Sequence, residues 1–430
     1  MRNIYRLLLF TPAVLFALPA MAWASETTTI DNGDTSWILI SSALVFLMIP
    51  GLALFYGGMV RRKNVLNTMM MSFIALGVVT IQWVLAGYSL AFGPDVHQLI
   101  GNLQFLGLGG VGLGSSSYAP TIPDQAFMVF QMMFAILTPA LISGAIVERM
   151  RFPAYVLFVL FWTTLVYDPI CHWVWGGGWL GTLGALDFAG GTVVHISSGV
   201  SALVAALVLG RRKGYGSEPM MPHNVTYIVL GAALLWFGWF GFNAGSALTA
   251  GGLAAAAFVN TQVATGSALL AWVLLEWQRH GKPTAMGGAS GAVAGLVAIT
   301  PACGFVTPLS SIAIGLVAGG VCYLAVSTLK IKLGYDDSLD VFGIHGVGGI
   351  WGALATGLYS VAEGKEGLFY GNAHQLLVQA VGVGASILTA GVMTLVILKV
   401  VGVLTKLRVE DDVEDVGLDV NEHSERAYSF

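Results

Sequence analysis

The sequence predicts an all-α polytopic membrane protein with eleven transmembrane helices. Three observations carry that reading. Only 10% of the 430 residues are charged and 56% are hydrophobic, with a mean hydropathy of +0.79; soluble globular domains carry about 25% charged residues. Eleven apolar stretches approach the length of about 20 residues that a helix needs to cross a bilayer. The basic residues fall almost entirely in alternate loops, the asymmetry that sets the direction of insertion.

The first element is separate from the rest. Arg2 and Arg6 precede LLLFTPAVLFALPAM, and Ala22-Trp23-Ala24 follows. A basic start, a short apolar run and an A-x-A site together read as a cleavable secretory signal over residues 1–24. The run is too short, and too broken by Pro12 and Pro19, for a first span. A channel domain over 25–408 follows. Its spans are expected near 36–60, 67–92, 125–148, 152–175, 190–209, 225–244, 254–277, 285–302, 307–329, 341–359 and 375–403.

Loops after odd-numbered spans hold Arg61, Arg62 and Lys63; Arg149 and Arg151; Arg211, Arg212 and Lys213; Arg279 and Lys282; Lys330 and Lys332; and Lys406 and Arg408. Loops after even-numbered spans hold only Lys365. The C-terminus is therefore expected in the cytoplasm and the mature N-terminus outside, which places the chain in the inner (cytoplasmic) membrane. The polar, acidic tail at 409–430 reads as a disordered, solubilising end or as a segment that docks against a partner.

Glycine, at 56 residues, marks close helix packing, because small residues let backbones approach in lipid. Cys171, Cys303 and Cys322 lie in apolar runs and read as free packing thiols. A net charge of −4 argues against nucleic acid as a partner. No zinc-protease motif, Walker motif or nucleophile elbow occurs, and no nucleophile–base pair emerges. The chain is expected to be neither an enzyme nor a cofactor or metal binder.

Spans five and ten suggest an internal repeat. Span five opens at Asp187 and carries His195; span ten opens at Asp340 and carries His345. Gly199 and Gly349 each stand four residues past the histidine. Opposite directions for two similar segments imply two inverted five-helix repeats, about 36–210 and 225–360, around a central pore, with a final helix added. At about 1.5 Å per residue, His195 lies roughly 12 Å below Asp187, near the midplane.

Ionisable groups inside a membrane mark conduction or proton paths by default. Aromatic residues surround this small polar set. Phe130 and Phe134 are four apart on span three, Trp173 and Trp175 end span four, and Trp236, Trp239, Phe242 and Ser246 end span six. Most of these rings suit belts or core packing. Phe130, Trp175 and Ser246, however, fall at the outer ends of three spans, where an aromatic cage with one hydroxyl suits a small cation.

At this point the chain resembles the ammonium transporter (Amt/Mep/Rh) family, in its bacterial Amt-type branch. The resemblance rests on GLALFYGGMVRRKNVL, FAILTPALISGAIVERMRF, HWVWGGGWL with GALDFAGGTVVH, GWFGFNAGSA, AITPACG, DVFGIHGVGGI and GLDVNEHSERAY, in order over nearly the whole mature chain. It implies an external recruitment site from Phe130, Trp175 and Ser246, gating phenyls Phe134 and Phe242, pore histidines His195 and His345, and a vestibule-supporting Asp187. It also implies a homotrimer with one pore per subunit. A PII-type (GlnK-like) signalling protein would act at the cytoplasmic face, and the Gly417–Tyr428 stretch would couple subunits.

The expected function is capture of ammonium, removal of its proton and conduction of ammonia, with or without a separate proton, with methylammonium as an analogue. The rivals are an Rh-like neutral gas channel and an ammonium sensor. Asp168, in VYDPICHW, departs from the family pattern; it reads as a cap before Pro169, as a hydrogen-bonded group, or as a source of negative potential for cations. His172 reads as a packing group.

Overall fold

A computed structural model describes residues 30–428. The expected signal over 1–24 lies outside the described residues. Among these residues, nine helices are long and apolar enough to cross a membrane. They are α1 (Asn32–Met59), α2 (Arg62–Phe92), α3 (Asp124–Ile146), α4 (152–174, continuing past a break at residues 175–178 to Leu183), α5 (Gly191–Leu209), α6 (Val225–Gly245), α7 (Gly252–His280), α9 (Pro308–Leu333) and α11 (Ala373–Leu404). The shorter α8 (Ala285–Ile299) and the glycine-rich α10 (341–359) complete the eleven.

Two sets of loops meet on opposite faces. On one face the basic loops join: Arg61 and Arg212 both bind Glu148, Arg212 binds Asp336, and the Arg211 side chain donates to the Gly334 carbonyl. On the other face Trp173 reaches the Leu99 carbonyl, Phe188 N donates to the Pro301 carbonyl, and Val361 N donates to the Phe305 carbonyl. A small hairpin there, β1 (Asp95–Val96) and β2 (Ile100–Gly101), pairs antiparallel with Asp95 opposite Gly101.

The packing of the first five helices recurs in the next five. α3 lies on α1, α2 and α5, and α8 lies on α6, α7 and α10. α2 packs on α1 and α4 as α7 packs on α6 and α9, while α1 and α6 run against each other. π-helical turns recur in matching places: Thr163–Tyr167 in α4 and Ala325–Leu329 in α9, Gly191–Ile196 in α5 and Phe342–Gly346 in α10. Such turns are rare and cluster at functional sites. α11 stands outside the repeat and packs on α4, α5 and α10.

α5 and α10 cross where side chains are absent. A Cβ at Gly199 would sit 2.1 Å from Gly346 N, and one at Gly349 would sit 3.0 Å from the His195 Cβ. These glycines let the two backbones touch, and that contact brings the two histidines together.

The acidic tail is folded against the basic face. Two short helices, α12 (Asp411–Val416) and α13 (Leu418–His423), form it. Lys63 donates to the carbonyls of Glu414 and Asp415 at 2.7 and 2.8 Å, and the Glu414 carboxylate binds Arg408 and Lys213 N. The Asn64 side chain accepts from Leu418 N, and Asp419 accepts from Asn67 N, both at 2.9 Å. The segment is a docked one, and its surface is this chain's own loops.

Candidate functional site

The site begins as a cavity of about 270 Å³ on the face opposite the basic loops. Phe92, Tyr118, Phe127, Gln131, Phe134, Trp175, Phe188 and Ser246 are among its walls. Trp175 and Ser246 thus line one vestibule. Phe130 stands behind them: it is fully buried and meets Phe134 edge-on, with ring centroids 4.9 Å apart. The helical spacing of four puts both rings on one face, with the Phe130 ring edge against Gly245, next to Ser246 in the chain.

Each wall group is held from behind. The Trp175 indole N–H donates to the Asp187 carbonyl at 2.9 Å. The Ser246 hydroxyl donates to the Phe242 carbonyl at 2.8 Å, which leaves its oxygen lone pairs as acceptors at the cavity edge. The Gln131 carbonyl oxygen, buried beside the same space, has no protein donor among the described residues.

Below the vestibule the rings form a column. Phe134 and Phe242 stack at 4.2 Å with 29° between planes. Phe242 lies 6.0 Å from the His195 ring, and His195 lies 5.3 Å from His345. The two imidazole Nδ1 atoms are 3.2 Å apart. One hydrogen between them requires one ring to carry it on Nδ1 and the other to leave Nδ1 bare, so both rings can be neutral. Trp239 lies flat on His195 at 5.4 Å and 21°, anchored by its indole N–H to Thr300 Oγ1. The sequence reading put Trp239 near the outer surface. Its position three residues before Phe242 instead carries it one turn deeper, to the histidine.

Asp187 positions this column. Its carboxylate accepts from the backbone N–H groups of Gly190, Gly191, Thr192 and Val193 at 2.6–3.3 Å, and from the Thr192 hydroxyl. It therefore caps the helix that carries His195, at the end where a dipole favours negative charge.

The partner of Asp187 in the second half is not Asp340. Asp337 accepts from Phe342 N at 2.7 Å and stands eight residues before His345, as Asp187 stands eight before His195. Asp340 takes a left-handed φ of 63° and pairs with Lys330 at 2.6 Å. A short polar residue tolerates that backbone, and its side chain turns away from the helix end.

Three further residues were not legible in the sequence. Gln379, on α11, grips the strand before Asp187: its carbonyl accepts from Leu186 N at 2.7 Å, and its amide donates to the carbonyls of Leu186 at 2.7 Å and Ala353 at 3.1 Å. Ser201 on α5 and Thr394 on α11 bond to each other, and both accept from the Trp162 indole. Buried amides and hydroxyls in apolar runs give no local pattern; only their fold partners reveal them. His172 has both ring nitrogens engaged, by the Ala91 carbonyl and by Asp95, each at 2.9 Å. Asp168 faces α2 and does not line the vestibule.

Fold and site define a class: a multi-pass α-helical membrane protein with an aromatic vestibule above a ring-lined histidine pair. Within that class the chain belongs to the Ammonium Transporter Family, whose model matches residues 36–428. It is 55% identical to an ammonium transporter of Bacillus subtilis, over 92% of this chain and 98% of that one. It is 51% identical to one of Aquifex aeolicus, over 99% and 100%. The solved structure of Saccharomyces cerevisiae Mep2 superposes with a TM-score of 0.84 at 39% identity, covering 90% of this chain and 89% of that one. A structure described as a sensor Amt protein gives 0.85 at 30% identity, covering 91% and 98%.

Proposed function

We propose that this protein takes up ammonium: the cation is captured in the vestibule, loses its proton at the Phe134–Phe242 pair, and crosses as ammonia past His195 and His345. The observation that carries this reading is the single column from vestibule to imidazole pair, with its Nδ1 atoms at 3.2 Å. An unpaired ion in a medium of low dielectric costs on the order of tens of kcal/mol in the idealised limit. Aromatic faces supply about 0.5–2 kcal/mol each. The cage therefore collects the cation but cannot carry it between stacked phenyls. Transfer of the proton to solvent water, NH4+ + H2O giving NH3 + H3O+, removes the charge before the narrow part and leaves the proton on the vestibule side. Neutral imidazoles then offer the base a donor and an acceptor in an otherwise apolar passage.

Family membership supports ammonium as the substrate, since relatives of 51–55% identity are named as ammonium transporters. The sensor-described neighbour is less similar, at 30%. A neutral gas channel has no use for a hydroxyl and an indole at one vestibule. We further assign the basic face to the cytoplasm of the inner membrane, a homotrimer with one conduit per subunit, and a PII-type protein binding at that face. The tail folded on the basic loops supports the face as a regulated one.

Ser246→Ala and Trp175→Leu are expected to weaken methylammonium competition more than they lower the maximal rate. Unchanged competition in both variants removes the capture site and favours the gas-channel reading.

A further inference from the structure

Asp168 is a carboxyl group in a span, completely buried and away from the conduit. It ends the π-turn Thr163–Tyr167 of α4, opposite the π-turn Trp83–Gly87 of α2. Gln82, at the start of that second turn, donates from Nε2 to Asp168 Oδ2 at 2.7 Å and to Thr164 Oγ1 at 3.2 Å. Both amide hydrogens are thus spent. What remains is two acceptors, Asp168 Oδ1 and Gln82 Oε1, each buried and without a protein donor among the described residues. The nearby side chains are uncharged: Thr164, Tyr167 and Cys171 on α4, with the Trp83 ring on Tyr167. His172, one turn outward, is already committed to Ala91 and Asp95.

An ionised carboxylate here has one hydrogen bond and no cation, the arrangement that apolar surroundings penalise most. One proton changes the account. On Oδ1 it makes a donor, and Oε1 is the unpartnered acceptor on the same Gln82 side chain that already binds Oδ2. A planar acid and a planar amide then close a ring of two parallel hydrogen bonds, and both orphaned oxygens are satisfied. We infer that Asp168 is held as a neutral carboxylic acid paired with Gln82, a proton-binding site that joins α2 to α4 at their π-turns and adds no negative charge to the vestibule.

The test uses the full-length protein in lipid bilayers at neutral pH. The infrared difference between wild type and Asp168→Asn is expected to show loss of a protonated carboxyl carbonyl band, with transport rate and methylammonium competition retained, because Asn reproduces the shape and donor of the neutral acid. Loss of a carboxylate band instead overturns the inference, as does a clear loss of substrate affinity in Asp168→Asn. The ring is tested separately by stability. Asp168→Leu and Gln82→Leu should each lower the melting temperature, and the double variant should fall by less than their sum. Additive losses overturn the pairing.

Discussion

Asp187 and Asp337 hold the same place in the two halves of the molecule, eight residues before a pore-side histidine, yet they are built differently. The Asp187 carboxylate takes four backbone N–H groups and a hydroxyl, and Gln379 fixes the strand it comes from. Among the described residues Asp337 accepts from Phe342 N, with a weaker backbone contribution from Val341, and its Oδ1 is buried without a protein donor. The first lies under the vestibule, in apolar surroundings; the second lies at the basic face, near Lys330 and Asp340. A repeated fold supplies a repeated cap position. How completely the cap is satisfied differs between the two faces.

The comparison breaks most readily at Asp187. Hydrogen bonds to a charged group contribute about 1.5–3 kcal/mol each, and removing this acceptor orphans several donors at once. Asp187→Ala is expected to abolish transport and lower the melting temperature sharply, whereas Asp337→Ala should cost much less. Equal losses in the two variants would mean that the caps are equivalent after all.

A smaller effect is expected at Gln379. Gln379→Ala frees the Leu186–Asp187 strand and with it the indole of Trp175. The methylammonium concentration for half-maximal transport should rise several-fold while the maximal rate changes little, and a carboxamide restored at that position should reverse the shift. A fall in rate alone would make Gln379 a packing residue.

The smallest effect sharpens the contrast through pH. Burial, with a contribution from Asp340, pushes the Asp337 carboxyl up from its ordinary 3.8 to about 6, against the pull of Lys330. A carboxyl whose folded value is raised favours the folded state when protonated. Its contribution is therefore complete below pH about 3.8 and is lost as pH rises through about 6. Asp337→Asn should remove a contribution that declines with rising pH, so over that window the variant's thermal stability should change more favourably with rising pH than that of the wild type. An unchanged pH dependence would assign it to other groups.

Much of this was legible in the sequence because lipid enforces simple rules. Spans such as 375–403 are readable from apolar length, and the sorting of Arg61, Arg149 and Arg212 into alternate loops supports the count of crossings. His195 and His345 stood out because charge-capable groups are rare in such runs. The second cap was misread for a local reason. Asp340 adjoins the apolar stretch directly and looks like its first residue, but a left-handed backbone turns it to Lys330 and leaves Asp337 to reach the helix end. Gln379 and the Ser201–Thr394 contact depend on which helices meet, and that information resides in packing across 193 residues of chain. The tail was ambiguous because acidic composition suits both solvent and a basic surface; Lys63 and Asn64 show which surface it meets.

Ammonium-driven flux into proteoliposomes, compared between wild type and the variants His195→Ala and His345→Ala, tests the imidazole pair most directly. Wild type should respond to an ammonium gradient and exclude potassium, while each variant should lose the flux or lose that discrimination with the fold intact. Flux and selectivity equal to wild type in both variants would contradict the account.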